Sequence, residues 1–389
     1  MTSPTSDILG VVDETTQRQY SYYLTNLATN ETIAELPFKD VTYATTLSGV
    51  GDFNGSIAIN QETNIYDVRR STLPGQIGLY VLRDSRPVWG GIVWKRRYSA
   101  STRTVDVVAS TFESYLERRL QPNTFKFLND DQMTIARWLL LTQNPTTGKT
   151  VADSIRASVS TVTSPISRER QFNGFERKTV LDELTRLGDL LDGFDWNVLI
   201  GKHYQSQEIT RTFEFFYPRR GVPAESSQLL FEYPGSIRDF NTDEDAQAGA
   251  NIMYALGIGE GIDQKSAVAV ATDQISAGLP ELEDTRSYSS VSLQTTLQAH
   301  ADADLNRLKP PVTIFDVTVD ARTEPTLGSY EVGDWARFIL KDEFITPAID
   351  RFARITAIEV SVDGTSGLEQ VKLTLGGDEV GGDEDEGAW

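Results

Sequence analysis

Apolar and polar residues alternate with a period of two through the first quarter of the chain. Val41, Tyr43, Thr45 and Leu47 share one face, Gly49, Gly51 and Asn54-Gly55 interrupt, and Ile57 and Ile59 resume the pattern. Because successive side chains of an extended backbone point to opposite faces, this stretch predicts strand, loop, strand. Leu79-Tyr80-Val81-Leu82, then Val88 to Tyr98, then Thr104 to Ala109 are separated by polar turns at Asp84-Ser85 and Ser99-Ala100-Ser101, which predicts a three-stranded antiparallel meander. Gly90-Gly91 inside its long central strand marks a bulge or a close approach of another backbone.

Past Ala109 the period lengthens to that of helices. Phe112, Tyr115, Leu116 and Leu120 fit one short helix, and Met133, Ala136, Leu139 and Leu140 fit a second. Val180, Leu184, Leu187, Leu191 and Phe194 form the clearest stripe, with Thr179 and Asp182 resembling a capping box and Gly193 where a C-terminal cap would fall. Strand patterns return at Asp195 to Ile200 and Ile209 to Tyr217, which predict a hairpin. Residues 241–248 are polar and acidic and read as a linker or exposed loop. From Asn251 an apolar run, the glycine turn Gly257-Ile258-Gly259-Glu260-Gly261 and Ala267-Val268-Ala269-Val270 predict strand, turn, strand. A long helix, Val291 to Leu308, stops at Lys309-Pro310-Pro311. Strands are then expected near Val312–Asp320, Trp335–Leu340, Phe352–Val362 and Gln370–Leu375, the last two turned by Asp363-Gly364 and Gly367.

Composition narrows the chemistry. At 389 residues the chain exceeds one ordinary core. With no cysteine, disulfides, thiolate nucleophiles and cysteine-ligated metals are excluded, and only His203 and His300 supply imidazole. No apolar run approaches the ~20 residues that span a bilayer, and the lysine- and arginine-free first seventeen residues hold no apolar leader, so folding in a cytoplasm is expected. A net charge of −20 disfavours phosphate-driven, sequence-specific nucleic-acid binding, which needs clustered cations. Lys95-Arg96-Arg97 and Arg118-Arg119 are local exceptions that read as solvated faces.

Residues 257–261 lack the strand-to-helix context of a dinucleotide loop. Glu176, Asp182 and Glu183 flank the clearest helix, where acids complement the helix dipole, so no catalytic pair, cofactor site or metal site is assigned. After Gly376-Gly377 an acidic tail closes the chain; Asp383, Glu384, Asp385 and Glu386 with the terminal Trp389 read as a segment that docks on a partner, the indole filling a pocket.

Three stretches resemble the tail-hub proteins of long-tailed bacteriophages, also called minor tail proteins in phages of actinobacteria. The first is Gly51-Asp52-Phe53-Asn54-Gly55-Ser56-Ile57 with the meander containing Val88-Trp89-Gly90-Gly91-Ile92-Val93 and the helix Thr111 to Arg119. The second is Val180-Leu181-Asp182-Glu183-Leu184 leading into Phe194-Asp195-Trp196. The third is Tyr330-Glu331-Val332-Gly333-Asp334-Trp335-Ala336-Arg337, then Arg354 to Val360 and the closing Val371 to Gly376. The resemblance implies an α+β, multidomain chain in which two β-rich, barrel-like, ring-forming domains (1–110 and 312–376) bracket a mixed α/β middle (111–240) and a second middle segment (241–311), with 377–389 as the acidic tail. It further implies a non-enzymatic virion protein of the tail tip, assembled in the host cytoplasm. Three copies would form a ring that binds the distal tail protein and tail tube, the tape-measure protein, and other minor tail or fibre proteins, and that lets DNA pass. A tail-associated cell-wall hydrolase and a glycan-binding receptor-recognition protein are the competing readings.

Overall fold

The computed structural model describes residues 18–60, 63–190, 192–202, 208–244, 246–289, 291–309, 313–345, 348–364 and 366–376. Its dominant element is one 13-stranded sheet to which both ends of the chain contribute. From one edge it runs Ile237–Glu244, Thr313–Asp320, Glu369–Gly376, Ile349–Val362, Lys39–Thr46, Asp52–Ala58, Thr104–Thr111, Arg86–Ser99, Ile77–Arg83, Tyr20–Asn26 and Thr32–Glu35. Trp335–Leu340 branches off Ile349–Val362 and carries Leu230–Tyr233 in parallel. The two halves meet where Lys39–Thr46 pairs antiparallel with Ile349–Val362, Val41 opposite Val362 and Thr46 opposite Ala357.

This seam has an apolar underside. Alternation sends Val41 and Tyr43 from the first half, and Val360 and Val362 from the second, into one core with Phe53, Val107, Val317 and Leu373. Burial of so many aliphatic and aromatic groups at roughly 25 cal/mol per Å² is what holds the halves as one body. Trp89 seals the seam from below, its indole N–H donating to the Ala44 carbonyl at 2.8 Å. The glycine pair above it is a close approach: a Cβ on Gly91 would lie 2.2 Å from the Ser110 carbonyl oxygen. The register slips of that strand fall on either side of the pair, at Val88 against Val81 and Leu82 and between Val93 and Lys95.

A second core holds the middle of the chain. Helices Gln132–Leu141 and Val180–Gly188 pack with the hairpin Asp195–Lys202 and Ile209–Phe216 around Leu139, Leu184, Leu187, Trp196 and Phe213. A third, smaller core lies between helix Gln294–Leu308 and the sheet Ile252–Leu256, Ser266–Val270 and Glu283–Ser287.

The α+β reading and nearly all strands expected from periodicity are present, and several details differ. None of the sheets closes into a barrel among the described residues: the outer strands Thr32–Glu35 and Ile237–Glu244 leave the large sheet open. Alternation sets which face is buried, but says nothing about whether edges meet. Residues 241–248 are not a linker, because the edge strand runs to Glu244 and a 3₁₀ turn, Ala246–Ala248, follows. The segment after Thr111 is a 3₁₀ helix, Phe112–Arg118. Thr179 does cap the clearest helix, accepting from the Asp182 N–H at 3.0 Å, yet that helix stops at Gly188. Gly193 sits in the following turn, where a Cβ would come within 1.9 Å of the Gly188 carbonyl oxygen. A helix not foreseen, Ile65–Ser71, starts on Asn64, whose side chain accepts from the Tyr66 and Asp67 amides.

If the seam makes one cooperative body, Leu373→Ala, at a fully buried position, lowers the unfolding free energy by about 2–5 kcal/mol, and the exposed Leu368→Ala stays within about 0.5 kcal/mol. Denaturant melts followed by tryptophan fluorescence and by circular dichroism should shift together in the first variant; separate transitions for the two halves would contradict the shared core.

Candidate functional site: a polar face across the joined ends

The same alternation that buries one side of the large sheet leaves the other side predominantly polar across the seam. Outward positions are Asp106, Val108 and Ser110, then Asp52, Asn54 and Ser56, then Thr42 and Ala44 from the first half. They continue as Glu359 and Ser361, Gln370, Lys372 and Thr374, then Asp316, Thr318 and Asp320 from the second. Lys95 and Arg97 extend the face on one side and Asp239 and Asn241 on the other.

Most of these side chains are short, and several bond to one another. The Thr42 and Ser361 hydroxyls meet across the seam at 3.2 Å. Ser110 donates to Asp52 at 2.9 Å and Thr374 to Asp316 at 2.9 Å, while the Lys372 ammonium lies 2.8 Å from Asp316. That carboxylate holds Lys372 above the usual lysine range. Toward one rim the face becomes concave, with a cavity of about 540 Å³ lined by Thr42, Ser361, Thr318, Gln370 and Arg238, the last paired to Asp320 at 2.8 Å.

Buried ionic ties hold the wall from behind. Arg83 grips Glu369 through two N–H groups at 2.6 and 2.8 Å, linking residues 286 positions apart, and Tyr20 donates to the same carboxylate at 2.5 Å. Burial and then the neighbouring Tyr43 and Glu369 push the Tyr20 phenol far above its normal range, so it stays a donor. Arg354 of the second half binds Asp195 of the middle hairpin, whose carboxylate also accepts from the Arg220 amide at 2.7 Å. Glu113, wholly buried, accepts from the Val198 amide at 2.7 Å, and burial raises its pKa. Arg211 is only 1% exposed and is held by neutral groups: Tyr80, the Leu27 and Ile155 carbonyls, Asn30, and the Phe112 ring 4.3 Å from the guanidinium.

The residues considered for chemistry do not converge. His203 lies outside the described residues, and His300 is stacked on Tyr288 with ring centres 4.1 Å apart, burial lowering its pKa. Glu176 pairs with Lys178 at 2.5 Å, Glu183 pairs with Arg170 at 2.9 Å, and Asp182 belongs to the helix cap. The glycine turn at 257–261 is followed by a 3₁₀ turn and a strand, without a phosphate-facing helix. Among the described residues no three His, Asp or Glu gather as a metal site. The docking tail Asp383, Glu384, Asp385, Glu386 and Trp389 lies outside the described residues. The polar face itself could have been read from the alternation; what periodicity lacked was the order of the strands.

No family model and no curated protein matches the sequence. Among solved structures, the chain is similar to the tail protein from Neisseria meningitidis MC58, at 15% identity and a TM-score of 0.62 over 92% of this chain and 97% of that one. It is similar to the 43 kDa tail protein of prophage MuSo2 from Shewanella oneidensis, at 12% identity and 0.60 over 92% and 96%. It is also similar to prophage tail protein gp18 from Listeria monocytogenes EGD-e, at 12% identity and 0.54 over 92% and 95%. At these identities the likeness is one of fold, shared along nearly the full length of all three.

Two outcomes test the ties. Glu369→Gln strands Arg83 in the core and should cost about 3–5 kcal/mol, whereas Asp350→Asn, in an ion pair with both partners exposed, should cost at most about 1 kcal/mol. Glu113 has a folded pKa above its ordinary 4.5, so its contribution is fully present below that value and is lost as pH rises toward the folded pKa. The stability of Glu113→Gln relative to the native chain should therefore grow as pH is raised from 4.5, measured by urea melts across pH; a pH-independent difference would contradict the assignment.

Proposed function

We propose that this chain is a non-enzymatic structural subunit of a phage tail tip, a hub that acts by assembling three copies into a ring. The observation that carries the reading is the predominantly polar face that runs over strands from both ends. It is supported by the fold shared with phage and prophage tail proteins. A wall built from two adjoining sheet segments per copy gives three copies six similar segments around a bore. The open edge strands Thr32–Glu35 and Ile237–Glu244 are then covered by neighbours, which removes the liability that unpaired edges carry in a monomer.

The proposed arrangement keeps 1–110 and 312–376 in the ring wall, joined there by strands Leu230–Tyr233 and Ile237–Glu244, with the rest of 111–240 and 241–311 outside it and 377–389 as a tail that docks through its carboxylates and Trp389. The partners in this reading are the distal tail protein and tail tube, the tape-measure protein, and minor tail or fibre proteins, all in the tail tip of the virion. The bore side carries Asp52, Asp106, Asp239, Asp316, Asp320 and Glu359 against Lys95, Arg97, Arg238 and Lys372. That acidic excess repels a phosphate backbone, and short hydroxyl and amide side chains offer a passing polymer nothing to grip.

Native mass spectrometry should find three chain masses, and a monomer at micromolar concentration would refute the ring. Asp106→Lys with Glu359→Lys should leave the mass unchanged and make the assembly retard duplex DNA on a gel at physiological salt, which the native chain does not; DNA binding by the native chain would contradict an inert bore. Removing residues 378–389 should abolish attachment to the tail, and normal attachment without them would exclude the tail as a dock.

A further inference from the structure

The small sheet of the second middle segment is covered by a helix on one side, and on the other Ile252 is buried while its neighbours in the outer strand are exposed. Helix Gln294–Leu308 packs Leu297 and Ala301 against Met253, Ala255, Ala267 and Ala269. The opposite face presents Tyr254 beside Val268, in register, and then Val270; the two valines are 44% and 42% exposed. The turn beyond these strands continues the apolar surface outward with Ile258, and with Ile262, which is 100% exposed. Isolated exposed apolar residues are ordinary, but a β-branched pair, a tyrosine and two tip isoleucines on one small subdomain form a patch.

One edge of this sheet, Ser266–Val270, is protected while the face beside it is not. Gln294 and Gln298 reach from the helix to the Ser266 and Val268 carbonyls at 2.8 and 2.9 Å, occupying acceptors that an added strand would need. On the side of that strand, the apolar face is the surface left for a partner.

Charge around the patch defines that partner. Glu260 and Asp263 at the tip, Glu281, and Glu283, which accepts from the Tyr254 hydroxyl at 3.1 Å, border it, and none forms an ion pair among the described residues. The nearby cations are engaged elsewhere: Arg286 with Asp304 at 3.1 Å, Lys309 with Asp273 at 2.6 Å, and Lys265 with the Ser292 carbonyl.

We propose that this face and its isoleucine tip dock a polypeptide segment of another protein, one with apolar anchors flanked by lysine or arginine. The apolar side chains supply affinity by leaving water, and the acidic rim selects basic flanks and speeds their encounter. The assignment is independent of the ring reading.

A displayed library of random twelve-residue peptides, selected on the full chain and counter-selected on Val268→Asp/Val270→Asp, tests it. The substituted side chains are solvent-accessible, so the fold is retained, and Ile262→Asp serves as a second variant at a fully exposed position. Enriched peptides should combine apolar with basic residues, bind the native chain more weakly as salt rises, and lose about tenfold or more in affinity on either variant. Failure to enrich any peptide, enrichment of acidic or uncharged peptides, or binding that ignores both variants overturns the proposal. So does a fall in native assembly mass caused by the valine substitutions, because the face would then be an interface between copies of this chain.

Discussion

The pairing of Lys39–Thr46 with Ile349–Val362 is the constraint from which the rest follows. More than three hundred residues separate these strands, so closing that loop costs conformational entropy that local contacts cannot return. Repayment comes from the apolar core beneath the seam, where Val41, Tyr43, Val360 and Val362 lose contact with water together. Once the seam forms, the outward residues of both halves are necessarily aligned on one face, because the period of a strand is two.

Polar groups behind that wall set its geometry more than its stability. A buried ion pair such as Arg83 with Glu369 returns little net free energy compared with apolar packing, since both charges must shed water. Its directional hydrogen bonds, with Tyr20 as a third member, admit one register of the N-terminal strands against the C-terminal ones. Asp195 with Arg354 does the same between wall and middle hairpin, and Arg211 ties the hairpin to Leu27 and Asn30. Each of these groups is satisfied by several partners, which is the condition for burying charge at tolerable cost.

How much was legible beforehand depends on the range of the interaction. Strands such as Trp335–Leu340 and the meander followed from period-two alternation, and Thr179 marked its helix start through a local bond. The end of that helix was misplaced because Leu191 and Phe194 continue the stripe, while the turn at Gly193 is fixed by contact with the Gly188 carbonyl. Residues 241–244 looked like linker because an edge strand needs few apolar residues. The open sheet, the Arg83 to Glu369 tie and the apolar face at Val268 and Val270 depend on strand order and on what lies above each face, which no local pattern encodes. The meeting of the two ends at the seam is likewise long-range.

The most direct test of a bore lined by the polar face uses the absence of cysteine, which lets single thiols report on single positions. Ser56→Cys and Thr374→Cys, one on each side of the seam, would be reacted in the native assembly with a small maleimide and with the same maleimide carried on a large dextran, using Ile262→Cys as a control. The account expects the small reagent to label all three and the dextran reagent to label only the control. Equal labelling of all three positions by the dextran reagent would place the polar face on the outside and contradict it.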